Sequence, residues 1–191
     1  MAAGMVLVLD GPSSVGRSTT LTALQERWSA VRSGPLLVAG LAATRRQAAA
    51  AGDGRWADLF DRVEPSTAGR PPRFRYGPLG RTLIAGMHRS AAAWARAGVD
   101  VALDHCIVDG AMLADLERAC ADVPLVIVGL TCDPVVLDAR EADRDDVVPG
   151  RSAAERAAVL GVAHRDVVDT TAATTDEVVD ELVALLRVSR T

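Results

Sequence analysis

The stretch Gly11-Pro-Ser-Ser-Val-Gly-Arg-Ser-Thr19 carries the residue types that hold phosphate. Gly11 and Gly16 allow backbone angles that turn the amides inward and let phosphate oxygens approach closely. The helix that this pattern opens near Gly16 points the positive end of its dipole at the same spot. Gly, four residues, Gly, a cation and Ser make a Walker A loop when an apolar strand precedes and a helix follows, as here. An ordinary strand–turn–helix joint carrying glycines is the plainer alternative. Gly11, Ser13, Ser14, Val15, Gly16, Arg17, Ser18 and Thr19 are therefore expected to hold the phosphates of ATP or GTP, with Ser18 also on Mg²⁺. Arg17 stands where lysine is usual. Its forked, permanently charged side chain can reach the outer phosphates, but it is longer and planar, so nucleotide binding follows more directly than catalysis. All 21 basic residues are arginine, and the chain contains no lysine to substitute.

Other candidates lie further along the chain. Asp104 ends a strand, where open α/β sheets place ligand groups; it can hold Mg²⁺ through water or take a proton from a substrate hydroxyl, or simply cap the next element. His105 beside it titrates near neutrality and is a second candidate base, or else a satisfied loop residue. Arg140 and Arg144, four apart, are expected on one helical face, either covering phosphates as a lid or solvated beside Glu141 and Asp145.

The elements that must position these groups alternate. Met5–Asp10, Pro35–Leu41, Val99–Asp104, Leu125–Thr131 and Asp166–Asp169 are apolar runs of strand length. Helical spacing marks Ser18–Val31, Thr44–Ala51, Leu79–Ala97, Ala111–Ala121, Pro134–Arg140, Ser152–Leu160 and Asp176–Val188. In the first, Leu21, Leu24 and Trp28 share a stripe; in the long one, Leu83, Met87, Ala91 and Trp94 do. Residues 52–78 read as an irregular insertion over a ligand site. Strands without polar alternation, separated by helices, predict an α/β fold: a five-stranded parallel sheet covered on both faces.

At 191 residues and 49% apolar composition, the chain fits one domain, 1–191, with residues 44–78 as a substrate-side insertion and 140–152 as the lid. A net charge of −4 argues against a nucleic-acid coat. No apolar run reaches the roughly 18 residues of a membrane span, and a cleavable signal peptide is not expected. Cys106, Cys120 and Cys132 are widely spaced with no CxxC pair, which fits reduced thiols and a cytoplasmic location.

From the phosphate loop to the C-terminal helix the sequence resembles the chloramphenicol phosphotransferase-like proteins, small P-loop kinases (P-loop NTPases) with a nucleoside-monophosphate-kinase-like fold. The resemblance rests on GPSSVGRST, GPLGRTLIAGMHRSAAAWARAG running into VDVALDH, LVIVGLTCDP, AREADRDDVVPG and VVDTT, in that order. It implies ATP-dependent phosphorylation of a small-molecule hydroxyl, with ATP between the lid arginines Arg140 and Arg144 and the loop after the last strand, which puts Asp169, Thr170 and Thr171 near the adenine. There are departures as well. The loop lysine is Arg17, the family's Asp base after the second strand falls at Ala42, and a third lid arginine falls at Val147. A His and a Tyr-Asp pair before the last strand are replaced by Val159 and His164-Arg165.

Three functions follow as alternatives. The first is an O-phosphotransferase acting on a hydroxyl of an antibiotic or secondary metabolite, with Asp104 or His105 as base and Arg17 and Arg140 assisting charge. The second is a nucleotide-binding pseudo-kinase or regulator. The third is a recycled scaffold binding a phosphorylated metabolite, in which His105, Cys106 and Asp109 serve other chemistry. A small hydroxylated molecule is the expected partner, with neither nucleic acid nor membrane.

Overall fold

A computed structural model describes residues 3–32, 34–41, 60–64, 66–67, 70, 72–159 and 166–188. The chain runs β1 (Val6–Asp10), α1 (Arg17–Arg27), β2 (Leu36–Gly40), β3 (Asp61–Glu64), β4 (Arg73–Tyr76) and α2 (Pro78–Arg96). It continues through β5 (Asp100–His105), α3 (Gly110–Ala119), β6 (Leu125–Thr131), α4 (Pro134–Ala142), α5 (Arg151–Val159), β7 (Asp166–Asp169) and α6 (Thr175–Val188).

Five strands form one sheet in the order β2-β5-β1-β6-β7, and every pairing in it is parallel. β1 is central and fully enclosed. Its Leu7 and Leu9 pack with Leu21, Leu24 and Trp28 of the α1 side, while Val6 and Val8 pack with Ile84, Ala91 and Ala95 on the other. Period-two alternation thus feeds two cores, which is why the run reads as uniformly apolar. β2, expected to be buried, is instead the sheet's edge: Leu36 is buried, but Leu37 and Gly40 are exposed. An edge strand has a neighbour on one side only, so its outer face stays wet.

The chain leaves β1 into α1 on one face and leaves β5 into α3 on the opposite face. Diverging connections open a crevice at the carboxyl ends of these adjacent strands. In register, Asp10 lies opposite His105 and Leu9 opposite Asp104, so the phosphate loop and the Asp104-His105 pair meet there.

Two further expectations change. The described part of 52–78 is ordered: β3 and β4 form an antiparallel ribbon pairing Asp61 with Tyr76 and Glu64 with Arg73. The alternation Arg-Phe-Arg-Tyr puts Phe74 and Tyr76 inward and Arg73 and Arg75 outward. Gly80 lets α2 approach this ribbon, since a Cβ there would lie 2.1 Å from the Phe60 carbonyl oxygen. The second change is the buried face of α2, which carries Ile84, His88, Ala91, Ala92 and Ala95, while Trp94 is 40% exposed. The expected helix at Thr44–Ala51 lies outside the described residues.

Candidate active site

The phosphate loop has the backbone its sequence requires. Gly16, just before α1, sits at φ 104°, a left-handed conformation that favours glycine, and Ser14 adopts φ 62°. No side chain caps α1 and no acid lies in its first turn, so the positive helix end meets no countercharge from its own residues. Ser14 Oγ and Arg17 Nη1 are buried without a hydrogen-bond partner among the described residues. Orphaned buried donors of this kind are costly and mark a place for an acceptor such as a phosphate oxygen.

Three elements pin the loop. Asp10 Oδ1 accepts from Gly11 N (2.9 Å) and Ile107 N (2.7 Å), joining the ends of β1 and β5. The Thr170 hydroxyl shares its proton between the Val15 carbonyl (3.0 Å) and the Thr131 carbonyl (3.1 Å). Glu155 of α5, fully buried, accepts from Ser13 N at 2.6 Å, and its other oxygen accepts from Arg151 Nε at 2.6 Å. Arg151 in turn grips Asp61 of β3 through both terminal nitrogens and lies over the Phe74 ring, 4.7 Å from its centroid. Sequence reasoning missed Asp10, Glu155, Arg151 and Asp61 in this role.

Arg17 is 8% exposed and donates from Nε to Asp104 Oδ1 at 2.7 Å. Burial alone would lower its pKa, but Asp104, Cys106 and Glu155 more than offset that and raise it. Ser18 Oγ donates to Asp104 Oδ2 at 2.5 Å. The donors expected for Mg²⁺, Ser18 and Asp104, are therefore bonded to each other, and the second carboxylate oxygen faces a fixed cation. As they stand they do not fit Mg²⁺, which needs oxygens arranged octahedrally at about 2.0–2.1 Å.

The two arginines after β6 part company. Arg140 lies on α4 and donates to the Thr170 carbonyl (2.7 Å) and hydroxyl (3.2 Å), fixing the loop after β7. α4 ends at Ala142, so Arg144 is not on the same helical face; it forms a forked pair with Asp146 at 2.9 and 3.0 Å. Neither pairs with Glu141 or Asp145 among the described contacts. Glu141 is buried and accepts from Gly150 N and Ser152 N, closing the turn into α5. Thr171 N and Oγ1 donate to Asp169, and these bonds hold its carboxyl below the usual range.

His105 has both ring nitrogens engaged. Cys106 N donates to Nδ1 (2.9 Å), and Nε2 lies 2.8 Å from His88 Nε2. With Nδ1 accepting, the neutral chain runs one way: His105 Nε2–H donates to His88, whose Nδ1–H donates to Asp115 at 2.9 Å. His105 thus lines the cavity with both ring nitrogens bonded within the protein.

Burial lowers the pKa of His88, which is completely enclosed; Asp115 pulls it up and Arg89 pushes it down, with the net direction downward. Asp115 also faces Arg118, and His105 completes the surroundings. In the unfolded chain a histidine takes a proton near pH 6.5 that folded His88 refuses. Stability is thus expected to fall as pH drops below about 6.5, by at most about 1.4 kcal/mol per pH unit for one proton. Melting curves from pH 7.5 to 5 check this: the slope is expected to be shallower in His88→Gln, and equal slopes would refute it.

One cavity of about 490 Å³ joins these groups. Its lining includes Ser13 to Thr19 of the phosphate loop, Arg140, Arg144 and Thr170, the apolar or aromatic side chains of Leu41, Tyr76, Ile84 and Met87, and Asp104. Asp104 is the one carboxylate on its wall among the described residues. Gly11 helps shape the loop's start, where a Cβ would lie 2.7 Å from the Leu130 carbonyl oxygen. Cys106 and Cys120 are buried and Cys132 is half-buried, with no disulfide among them. Asp109 caps α3 and pairs with Arg81. Ala42, His164 and Arg165 lie outside the described residues.

The model of a family described as chloramphenicol phosphotransferase-like protein matches residues 4–187. Among solved structures, a gluconokinase from Sinorhizobium meliloti 1021 is 16% identical, with TM-score 0.64, over 100% of this chain and 96% of its own. The APS kinase of Mycobacterium tuberculosis, in complex with AMPPNP and APS, is 12% identical with TM-score 0.61 over 97% and 99%. The tunicamycin resistance protein of Deinococcus radiodurans is 18% identical with TM-score 0.59 over 96% and 95%. These likenesses show the P-loop kinase fold. No curated protein matches the chain significantly.

Proposed function

The chain belongs to the chloramphenicol phosphotransferase-like family, and from that premise we propose that it is an O-phosphotransferase moving the terminal phosphoryl group of ATP, or of GTP, to a hydroxyl of a small molecule. An antibiotic or secondary metabolite is the class of acceptor. The observation that carries this reading is the shared cavity: the phosphate loop, one carboxylate and the side chains of Leu41, Tyr76, Ile84 and Met87 all line it.

The orphaned Ser14 Oγ and Arg17 Nη1 fit the triphosphate, as do the loop amides from Val15 to Thr19. Thr170 and Thr171 lie on the nucleotide's base side, with Arg140 holding them, and Asp169 steadies Thr171. The APS kinase above, similar in fold, was solved in complex with AMPPNP and APS, which supports nucleotide binding here. The triphosphate supplies the phosphoryl group and its charge. Arg17, held at Asp104, offsets negative charge at the outer phosphates. Leu41, Tyr76, Ile84 and Met87 pack the acceptor's apolar body and exclude water. Asp104 orients the acceptor hydroxyl and takes its proton as the oxygen bonds to phosphorus.

A second reading, nucleotide binding without transfer, draws on the Arg17–Asp104 pair, because a carboxylate already bound to a guanidinium is a weaker base. One experiment separates them. Purified protein is mixed with ATP and each of a set of hydroxylated antibiotics, reading ADP release and acceptor mass. Acceptor-dependent ADP with a phosphorylated product is expected. ATP binding with no transfer to any acceptor, together with turnover gained by Arg17→Lys, would favour the second reading, and failure to bind nucleotide would end both.

A further inference from the structure

Given nucleotide binding at this loop, as read above, we propose that Arg17 is the resident cation of the phosphate site and that the chain binds a nucleoside triphosphate with no need of a divalent metal. Ser18 and Asp104 are the oxygen donors from which such a site would be built. Here the hydroxyl proton of Ser18 points into Asp104 Oδ2 at 2.5 Å, and Arg17 Nε occupies Oδ1 at 2.7 Å. A metal ion entering between Ser18 and Asp104 would have to break their bond beside a positive charge that does not leave, since a guanidinium is never deprotonated in a protein. Among the described residues no group of three or more His, Cys, Asp or Glu side chains is placed to offer another site nearby.

The guanidinium is suited to the substitution. Its planar fork has five N–H donors, so Nε can stay on Asp104 while the terminal nitrogens face phosphate. Nη1 is buried and without a partner among the described residues, as expected of a donor whose acceptor arrives with the ligand. The other two cavity cations are committed elsewhere, Arg140 to Thr170 and Arg144 to Asp146. A lysine ammonium is a compact point charge on a flexible stem and cannot hold the carboxylate and the phosphates in this forked manner.

The test is a calorimetric titration of the native chain with ATP, once in EDTA and once in excess MgCl₂. The two dissociation constants are expected to agree within about threefold, whereas affinity higher by about tenfold or more with magnesium would overturn the proposal. Arg17→Lys is the second arm: it is expected to bind ATP at least about tenfold more tightly with magnesium than without. A lysine variant as indifferent to the metal as the native chain would remove Arg17 from the role. Absence of ATP binding in both buffers would overturn this inference and the function above together. Metal-dependent binding overturns this inference alone.

Discussion

In Asp104→Asn, turnover of any acceptor is expected to fall by about 10²–10⁴-fold, with the dissociation constant for ATP within a few-fold of native. Asparagine keeps the shape of the side chain and an oxygen for Ser18, but it can neither take the acceptor's proton nor anchor Arg17 by charge. The split between turnover and affinity is the informative part. The loop amides and Ser14 do not depend on Asp104, so the ground-state grip on phosphate survives, while charge placement during transfer does not. Unpairing Arg17, which is 8% exposed, also destabilises the fold, so rates belong well below the variant's melting temperature. Full turnover in this variant would remove Asp104 from the reaction. A collapse of ATP affinity with turnover would reassign it to holding the loop.

The largest stability effect is expected from Arg151→Ala. Arg151 is 3% exposed and satisfies two acids at once, Glu155 and Asp61. Burial alone would lower its pKa, but Glu155 and Asp61 outweigh that and raise it. Removing it takes the guanidinium from a fully enclosed Glu155, which keeps its bond from Ser13 N, and strips the cation from the Phe74 ring. Breaking a buried pair from one side costs about 3–5 kcal/mol. For a chain of this size that lowers the melting temperature by roughly 6–20 °C. Scanning fluorimetry reads this directly. Arg151→Met combined with Glu155→Gln is expected to recover part of the loss, because no charge is then left unpaired. A shift below about 2 °C for the single variant would show that the acids are satisfied without Arg151.

The phosphate loop was legible because all of it is local: strand, glycines, cation and hydroxyl are contiguous, and the backbone follows from them. The sheet was legible for the same reason, strand by strand, down to Asp166–Asp169. What was not legible came from distance or from weak letters. Glu155 reaches Ser13 across 142 positions, and nothing in its neighbourhood marks it as anything but a helix-surface acid. Alanines mislead in α2: counted as neutral, Ala92 and Ala95 fall outside a stripe drawn through Leu83, Met87, Ala91 and Trp94, although with Ala91 they are what lets the helix lie flat on β1 and β5. Arg140 and Arg144 share a face only if the helix continues past Ala142, and Asp143 ends it. The four-residue alternation at Arg73–Tyr76 did carry a strand signal, hidden among prolines.

β1 has a neighbour bonded along each edge and no exposed residue from Val6 to Asp10. Its amides therefore have no partial route to solvent, and their exchange with deuterium is governed by opening of the whole molecule. The phosphate loop begins one residue later. A ligand on that loop thus bears on the last part of the chain to come apart, so its binding energy appears as slower loss of the entire fold and not as the quieting of one loop.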